Sequence, residues 1–235
     1  MTATDVDTLS RACGIPLHAY RAEHVVERVE RALERESLRS VVDLAAQIRR
    51  SAAVRDRFRR AIAISVTGRF RDPHQFDLLR ERIVPELLQT DRDLRVWSAG
   101  CATGLEVYGL ATLFDSIRAL GRVRFLGSDL LETNIQAARE GGADGVPPGA
   151  AIAARSRWEV RDLTAPGTPE GRFDLILCRN VAIYFAAPAR DRLMRKLAGA
   201  LAPGGVLLLG RSERLAAPAE LGLSNYAPHA YRRPA

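Results

Sequence analysis

From Arg95 onward, short apolar runs alternate with longer amphipathic stretches, and this rhythm restricts the fold more than any other property of the chain. "RVWSAG", "VRFLGSD", "WEVRDL", "FDLILCRN" and "GVLLLGRS" read as strands, while "LEVYGLATLFDSIRAL", "ETNIQAARE" and "PARDRLMRKLAGAL" between them read as helices. Strands separated by helices pair in parallel, because a parallel connection must cross over a face of the sheet and a helix does so while covering it. The expectation is an α/β fold with a mostly parallel sheet and helices on both faces. "GGADGVPPGAA" reads as a flexible loop, and the proline-bearing tail "NYAPHAYRR" as a last, antiparallel edge strand.

The region from Val6 to about Gln89 has a different texture. Val25, Val26, Val29, Ala32 and Leu33 recur at helical spacing, and "RESLRSVVDLAAQIRR" repeats the pattern after a serine start. "DPHQFDLLRERIVPELL" predicts a further helix with Asp72 as N-cap, Pro73 at its first position and Pro85 kinking or dividing it. The expected organisation is a small all-helical domain over residues 1–89, with its linker, followed by the α/β domain over 90–235.

A chain of 235 residues that is 47% hydrophobic can bury a substantial core. No run approaches the ~18 apolar residues a membrane helix needs, and "MTATDVDTLSRACG" lacks the features of a signal peptide, so membrane insertion is not expected and a cytoplasmic location is. Cys13, Cys101 and Cys178 form no disulfide or zinc pattern, and no metal site is expected. The net charge is +7, and Lys196 is the only lysine. Between Gln47 and Arg71 eight arginines face Asp56 alone, which fits either a solvated helix face or a surface for acidic protein or phosphate. Phe58 and Phe70 are the only aromatic residues interleaved there, so a stable nucleic-acid partner is not favoured.

In an open parallel sheet the ligand lies beyond the carboxyl ends of the central strands. "VWSAGCATGLEVYGLATLF" runs from strand to helix through Gly100 and Gly104, whose bare backbone permits close approach. The turn has neither a P-loop lysine nor GxGxxG spacing, so a ligand without phosphates fits better. "FLGSDL" ends the next strand in Asp129, 25 residues after Gly104, where a carboxylate can accept both ribose hydroxyls. "WEVRDL" puts Asp162 and Leu163 at a third strand end, to receive an adenine amino group and supply apolar contact, and "FDLILCRN" puts Asn180 and Val181 at a fourth. Four strand ends converging on a ribonucleoside without phosphate point to S-adenosylmethionine.

"RVWSAGCATGLEVYGLA", "FDLILCRNVAIYF", "LAPGGVLLLGRSERL" and "TGRFRDPHQFDLL" together resemble the CheR-type chemotaxis receptor glutamate methyltransferases, and the resemblance extends over nearly the whole chain. It implies a Rossmann-like class I methyltransferase sheet behind a small helical domain, and methyl transfer from S-adenosylmethionine to glutamates on the cytoplasmic helices of chemoreceptors. By position, the resemblance implies cofactor contacts at Ser65, Thr67 and Arg71, with Glu106 binding the methionine ammonium and Asp129 the ribose. Asp162 with Leu163 and Asn180 with Val181 match further contacts, and Tyr184 is expected beside the transferred methyl. Arg28, Arg31 and Arg35 fall where the family docks acidic receptor helices, although Glu27, Glu30 and Glu34 fit intrahelical pairs nearly as well.

The chain also departs from the pattern. Ser65 and Asp162 replace asparagines, Leu105 a glutamate, Arg69 a phenylalanine and Arg211 a histidine, and only 32 residues separate Asp129 from Asp162. The β-subdomain that grips a receptor's C-terminal peptide is therefore expected to be reduced or absent. None of His18, His24, His74 and His229 falls at a strand end, and each reads as a surface or cap residue. A glutamate acceptor, with a pKa near roughly 4.3, is ionised at neutral pH and needs no general base. The resemblance then implies, as catalytic residues, Arg71, orienting the cofactor carboxylate or the incoming glutamate, and Tyr184, shaping the transfer slot. Two other readings remain open at this point: a methyltransferase for another small or protein acceptor, and a non-catalytic cofactor-sensing module binding protein or RNA.

Overall fold

A computed structural model describes residues 1–64, 72–142 and 149–235. The chain forms two compact units, Met1–Ser65 with Tyr184–Arg192, and Val66–Ile183 with Leu193–Ala235.

The first unit contains α1 (Ala3–Cys13), α2 (Ala22–Arg35), α3 (Val41–Arg50) and α4 (Ala52–Ala63). Their starts are chemically marked: Thr2 and Asp5 form a reciprocal capping box, and the Ser40 and Ser51 hydroxyls accept the backbone N–H groups of Asp43 and Val54. Leu9, Val25, Val29, Leu44, Ile48, Phe58 and Ile62 fill the interior at helical spacing. The segment after Ile183 returns to this unit. Arg21 donates its backbone N–H to the Tyr184 carbonyl at 2.9 Å, and Ala186 donates to Ala19 at 2.9 Å.

The second unit begins with α5 (Pro73–Leu78), a π-helical turn over Leu79–Ile83 and α6 (Val84–Leu87). Pro85 cannot donate a backbone hydrogen bond, and the widened turn lies just before it, so the expected division of this helix occurs as a π-turn. The expected boundary near residue 89 places these helices with the N-terminal domain. They pack instead on the sheet, because Phe76, Leu79, Ile83 and Val84 join Val96, Leu110, Phe114, Phe125, Leu175 and Leu208 in one buried cluster.

The sheet has the order β3-β2-β1-β4-β5-β7-β6, with β1 (Leu94–Ala99), β2 (Val123–Asp129), β3 (Ser156–Val160), β4 (Phe173–Cys178), β5 (Leu201–Leu209), β6 (Ser224–Ala227) and β7 (Ala230–Arg232). The first five strands run parallel; β7 pairs antiparallel with β5, and β6 with β7. The tail is thus a hairpin rather than the single edge strand expected, since Pro228 and His229, the latter in the left-handed region, reverse the chain between two short strands. α7 (Leu105–Ser116), α8 (Glu132–Arg139), α9 (Ala150–Arg155) and α10 (Ala187–Ala200) provide the crossovers. Between β2 and β3 the described residues form α8 and α9 and no strand. No described helix is long and apolar enough to cross a membrane.

Gly127 on β2 stands opposite Trp158 on β3, and a Cβ added at Gly127 would lie 2.3 Å from the indole ring. Gly127→Ala should therefore cost about 1–3 kcal/mol in urea unfolding, and Trp158→Val in the same background should recover much of it. Simple additivity of the two substitutions would contradict this packing.

Candidate functional site

β1 lies between β2 and β4, so the strand order reverses at the carboxyl end of β1 and opens a crevice there. The turn after β1 is fastened by two bonds, from the N–H groups of Gly100 and Cys101 to the Ser128 carbonyl at 2.8 and 2.9 Å. Gly100 has φ +84°, and a Cβ on it would lie 2.5 Å from a Val181 methyl. The absent side chain at Gly100 therefore makes room for Val181, bringing two expected site residues into contact. Gly104, with φ +83°, starts α7, and a Cβ there would collide with Trp158 and Ala138 at 2.7 and 2.8 Å.

Asp129 ends β2 and is only 8% exposed. Its Oδ2 accepts the Ala102 N–H at 3.0 Å, and its Oδ1 accepts the Leu131 N–H at 3.0 Å and the Asn134 amide at 2.9 Å. Burial pushes its pKa above the ordinary carboxylate value, and these hydrogen bonds oppose the shift. Its carbonyl accepts the Arg161 N–H at 2.7 Å, which ties the end of β3 to the same point.

Glu106 sits in the first turn of α7. Its Oε1 accepts the Ser98 hydroxyl at 2.7 Å, and its Oε2 accepts Arg179 Nη1 at 2.8 Å. Arg179, with a side chain 3% exposed, also donates Nε to Gln75 at 2.8 Å and Nη2 to Asp72 at 3.1 Å. The Gln75 amide continues to the Leu209 carbonyl at 2.7 Å. Asp72 occupies the N-cap position of α5 at φ 58° but makes no side-chain capping bond, because its carboxylate is drawn to the guanidinium.

Asn180 and Val181 are held by a group that pattern reading misses. The buried Glu213 carboxylate accepts the backbone N–H groups of Asn180 (2.7 Å), Val181 (3.1 Å), Ile183 (3.2 Å) and Gly210 (2.8 Å). Asn180 is in the left-handed region at φ 59°, and its Oδ1 is buried with no hydrogen-bond partner among the described residues, as is Thr103 Oγ1 in the turn after β1. Such orphaned atoms beside a crevice are unusual and suit a polar ligand.

Asp162 Oδ1 accepts both the backbone N–H and the hydroxyl of Thr164, at 2.7 and 2.6 Å, closing the loop after β3. Lys196 reaches from α10 to the carbonyls of Leu163 and Ala165 at 2.5 and 2.6 Å. Lys196 and Glu213 approach the site from distant sequence, so no local motif announces them. A glutamate just past a strand end, as in "GRSE", is the one available signal.

Hydrogen bonds and packing thus link Gly100, Asp129 and Val181, with Asn180, Asp162 and Leu163 on the adjoining loops and Glu106 in the first turn of α7. Ser65, Thr67 and Arg71, and the substituted Arg69, lie outside the described residues. Tyr184 groups with the helical unit, where its ring lies 5.1 Å from that of His24. His24 is not the surface or cap residue expected: it is half-buried, with Nε2 2.9 Å from the Ile62 carbonyl, and burial lowers its pKa. All three cysteines are buried and unpaired.

A family model described as "CheR methyltransferase, SAM binding domain" matches residues 65–145 and 149–226. A chemotaxis protein methyltransferase 1 of Pseudomonas aeruginosa is 30% identical over 239 residues, covering 88% of this chain and 87% of its own. A chemotaxis protein methyltransferase of Listeria innocua is 30% identical over 240 residues, covering 92% and 90%. Among solved structures, a TehB-like SAM-dependent methyltransferase from Corynebacterium glutamicum is similar at a TM-score of 0.44 and 19% identity, over 68% of this chain and 92% of its own. The buried Asp129 carboxylate and the orphaned Thr103 and Asn180 oxygens fit an adenosyl ligand with an amino-acid end. On the family match and the relatives together, this chain belongs to the CheR methyltransferase family and is an S-adenosylmethionine-dependent methyltransferase.

Proposed function

We propose that this protein forms methyl esters on glutamate side chains of chemoreceptor cytoplasmic helices, and that it does so in the cytoplasm. The proposal rests on the chemotaxis methyltransferases to which the chain is similar over most of its length. The observation that carries it is the joining of Asp129, Gly100 and Val181 at the carboxyl ends of three adjacent strands.

S-adenosylmethionine supplies an activated methyl group. In the proposed arrangement Asp129 receives the ribose hydroxyls and Glu106 the ammonium. Asp162 and Leu163 flank the adenine, and Asn180 and Val181 close the crevice beside Gly100. Ser65, Thr67 and Arg71 complete the site, with Arg71 pairing with a carboxylate and Tyr184 bordering the transfer slot. A glutamate acceptor arrives ionised, so the chain's task is alignment and exclusion of water rather than removal of a proton.

Docking of an acidic helix is assigned to the basic face of α2. Arg31 pairs with Glu27 at 2.5 Å, whereas Arg35 and Arg57 share Glu36 at 3.1 and 2.9 Å, so two arginines compete for one carboxylate.

Incubation with methyl-labelled S-adenosylmethionine and receptor fragments should release labelled methanol on mild alkali treatment. Arg71→Ala and Asp129→Ala should each reduce it by roughly 100-fold. Alkali-stable label would instead identify a different acceptor, and cofactor binding without any transfer would identify a sensor.

Glu213→Gln exposes two of the four backbone N–H groups to an amide donor in place of an acceptor. The expected loss is about 1–3 kcal/mol of stability, accompanied by roughly tenfold weaker S-adenosylhomocysteine binding by calorimetry. Unchanged affinity would show that the loop holds its shape without this carboxylate.

Asp129 also sets a pH dependence. Its folded pKa is raised above its unfolded value near roughly 3.9, so between the two the folded state binds more protons. Stability of the cofactor-free protein from this group is then lost as pH rises through the folded pKa. Urea unfolding across that window should decline less steeply for Asp129→Asn than for the parent protein, and equal slopes would count against the shift.

A further inference from the structure

The Arg179 cluster has a role that the cofactor contacts alone do not explain. A guanidinium removed from water must have its donors satisfied, and here three nitrogens go to three different places: Nε to Gln75, Nη1 to Glu106 and Nη2 to Asp72. These partners come from α5, from the first turn of α7 and from the residue that directly follows Arg71. Gln75 then anchors the group to the end of β5 through the Leu209 carbonyl. We propose that Arg179 is a positioning residue for the amino-acid end of S-adenosylmethionine, fixing the Glu106 carboxylate toward the ammonium and joining it to Asp72 and Gln75 at the start of α5. This rests on the assignment of Glu106 to the ammonium.

Two features support the assignment of this role. The first is charge. Among the described residues, Glu106 and Asp72 share the single positive charge of Arg179, and their side chains are 14% and 20% exposed. Glu106 therefore shares its counter-charge with Asp72 rather than being neutralised by Arg179 alone, and it still attracts an ammonium. The second is acceptor capacity. Ser98 and Arg179 each use one site on a different Glu106 oxygen, and a carboxylate has about four such sites, so Glu106 accepts further donors without giving up its anchors. Arginine suits this position because its rigid planar fork reaches three separated acceptors, which a lysine ammonium on a flexible stem does not.

The test compares two probes, S-adenosylhomocysteine, which has the amino-acid end, and 5′-methylthioadenosine, which lacks it. Binding of each is measured by calorimetry on the full chain, with melting curves to establish folding. Arg179→Lys should weaken S-adenosylhomocysteine about tenfold or more and leave 5′-methylthioadenosine within about twofold. Asp72→Asn removes one of the two carboxylates that hold Arg179, at a partly exposed position, and should lower the preference for S-adenosylhomocysteine several-fold, which keeps the proposal testable if the Arg179 variant fails to fold. Equal loss of both probes in Arg179→Lys would mark Arg179 as a structural brace and overturn the proposal, as would an unchanged preference in Asp72→Asn. Glu106→Gln separates the two levels. If it leaves the preference intact, the Glu106 assignment itself fails; if it abolishes the preference while folded Arg179→Lys does not, only the Arg179 proposal fails.

Discussion

The close approach of Gly100 to Val181 is the constraint on which the site depends. The turns after β1 and β4 meet where the strand order reverses, and a Val181 methyl lies 2.5 Å from the position a Cβ at residue 100 would take. Any side chain there would push the two turns apart. Asp129 would lose its hold on Ala102 next to Gly100, and Val181 would strain against the bonds that Glu213 makes to its loop. The crevice therefore takes its width from the packing of the Val181 side chain on the bare backbone of Gly100.

Carboxylates that are buried or largely shielded do much of the remaining work, and each is stabilised differently. Glu213 is satisfied by four backbone amides, Asp129 by the amides of Ala102, Leu130 and Leu131 and the Asn134 side chain, and Glu106 by a hydroxyl and a guanidinium. Removing such a charge from water without partners is costly, so each carboxylate fixes the loop or side chain that satisfies it. The left-handed Asn180 is consistent with this: strain at one residue persists because Glu213 bonds on both sides over-determine the loop. A site formed this way is set before the ligand arrives, which suits a reaction that requires alignment of two reactants.

Much of the architecture was legible in local pattern. The alternation after Arg95 reports a parallel sheet, and Pro85 reports a break in its helix, because both signals arise within a few neighbouring residues. The placement of Gly100, Asp129, Asn180 and Val181 at strand ends around one crevice was legible in the same way. Less visible were the roles that depend on distant partners. Nothing near Asp72 indicates that its carboxylate turns to Arg179, 107 residues away, rather than capping α5. Glu213 and Lys196 act on loops about 30 residues earlier in the chain. The division of the chain was obscured for the same reason, since Phe76 and Ile83 have helical periodicity whether they face other helices or a sheet.

The most direct test of the account is a crystal structure of the full chain with S-adenosylhomocysteine. The account predicts both ribose hydroxyls within hydrogen-bond distance of the Asp129 carboxylate, with the nucleoside lying over the Gly100 turn between the ends of β2 and β4. A ligand bound elsewhere, or a ribose held by other residues while Asp129 keeps only its present backbone and Asn134 partners, would contradict it.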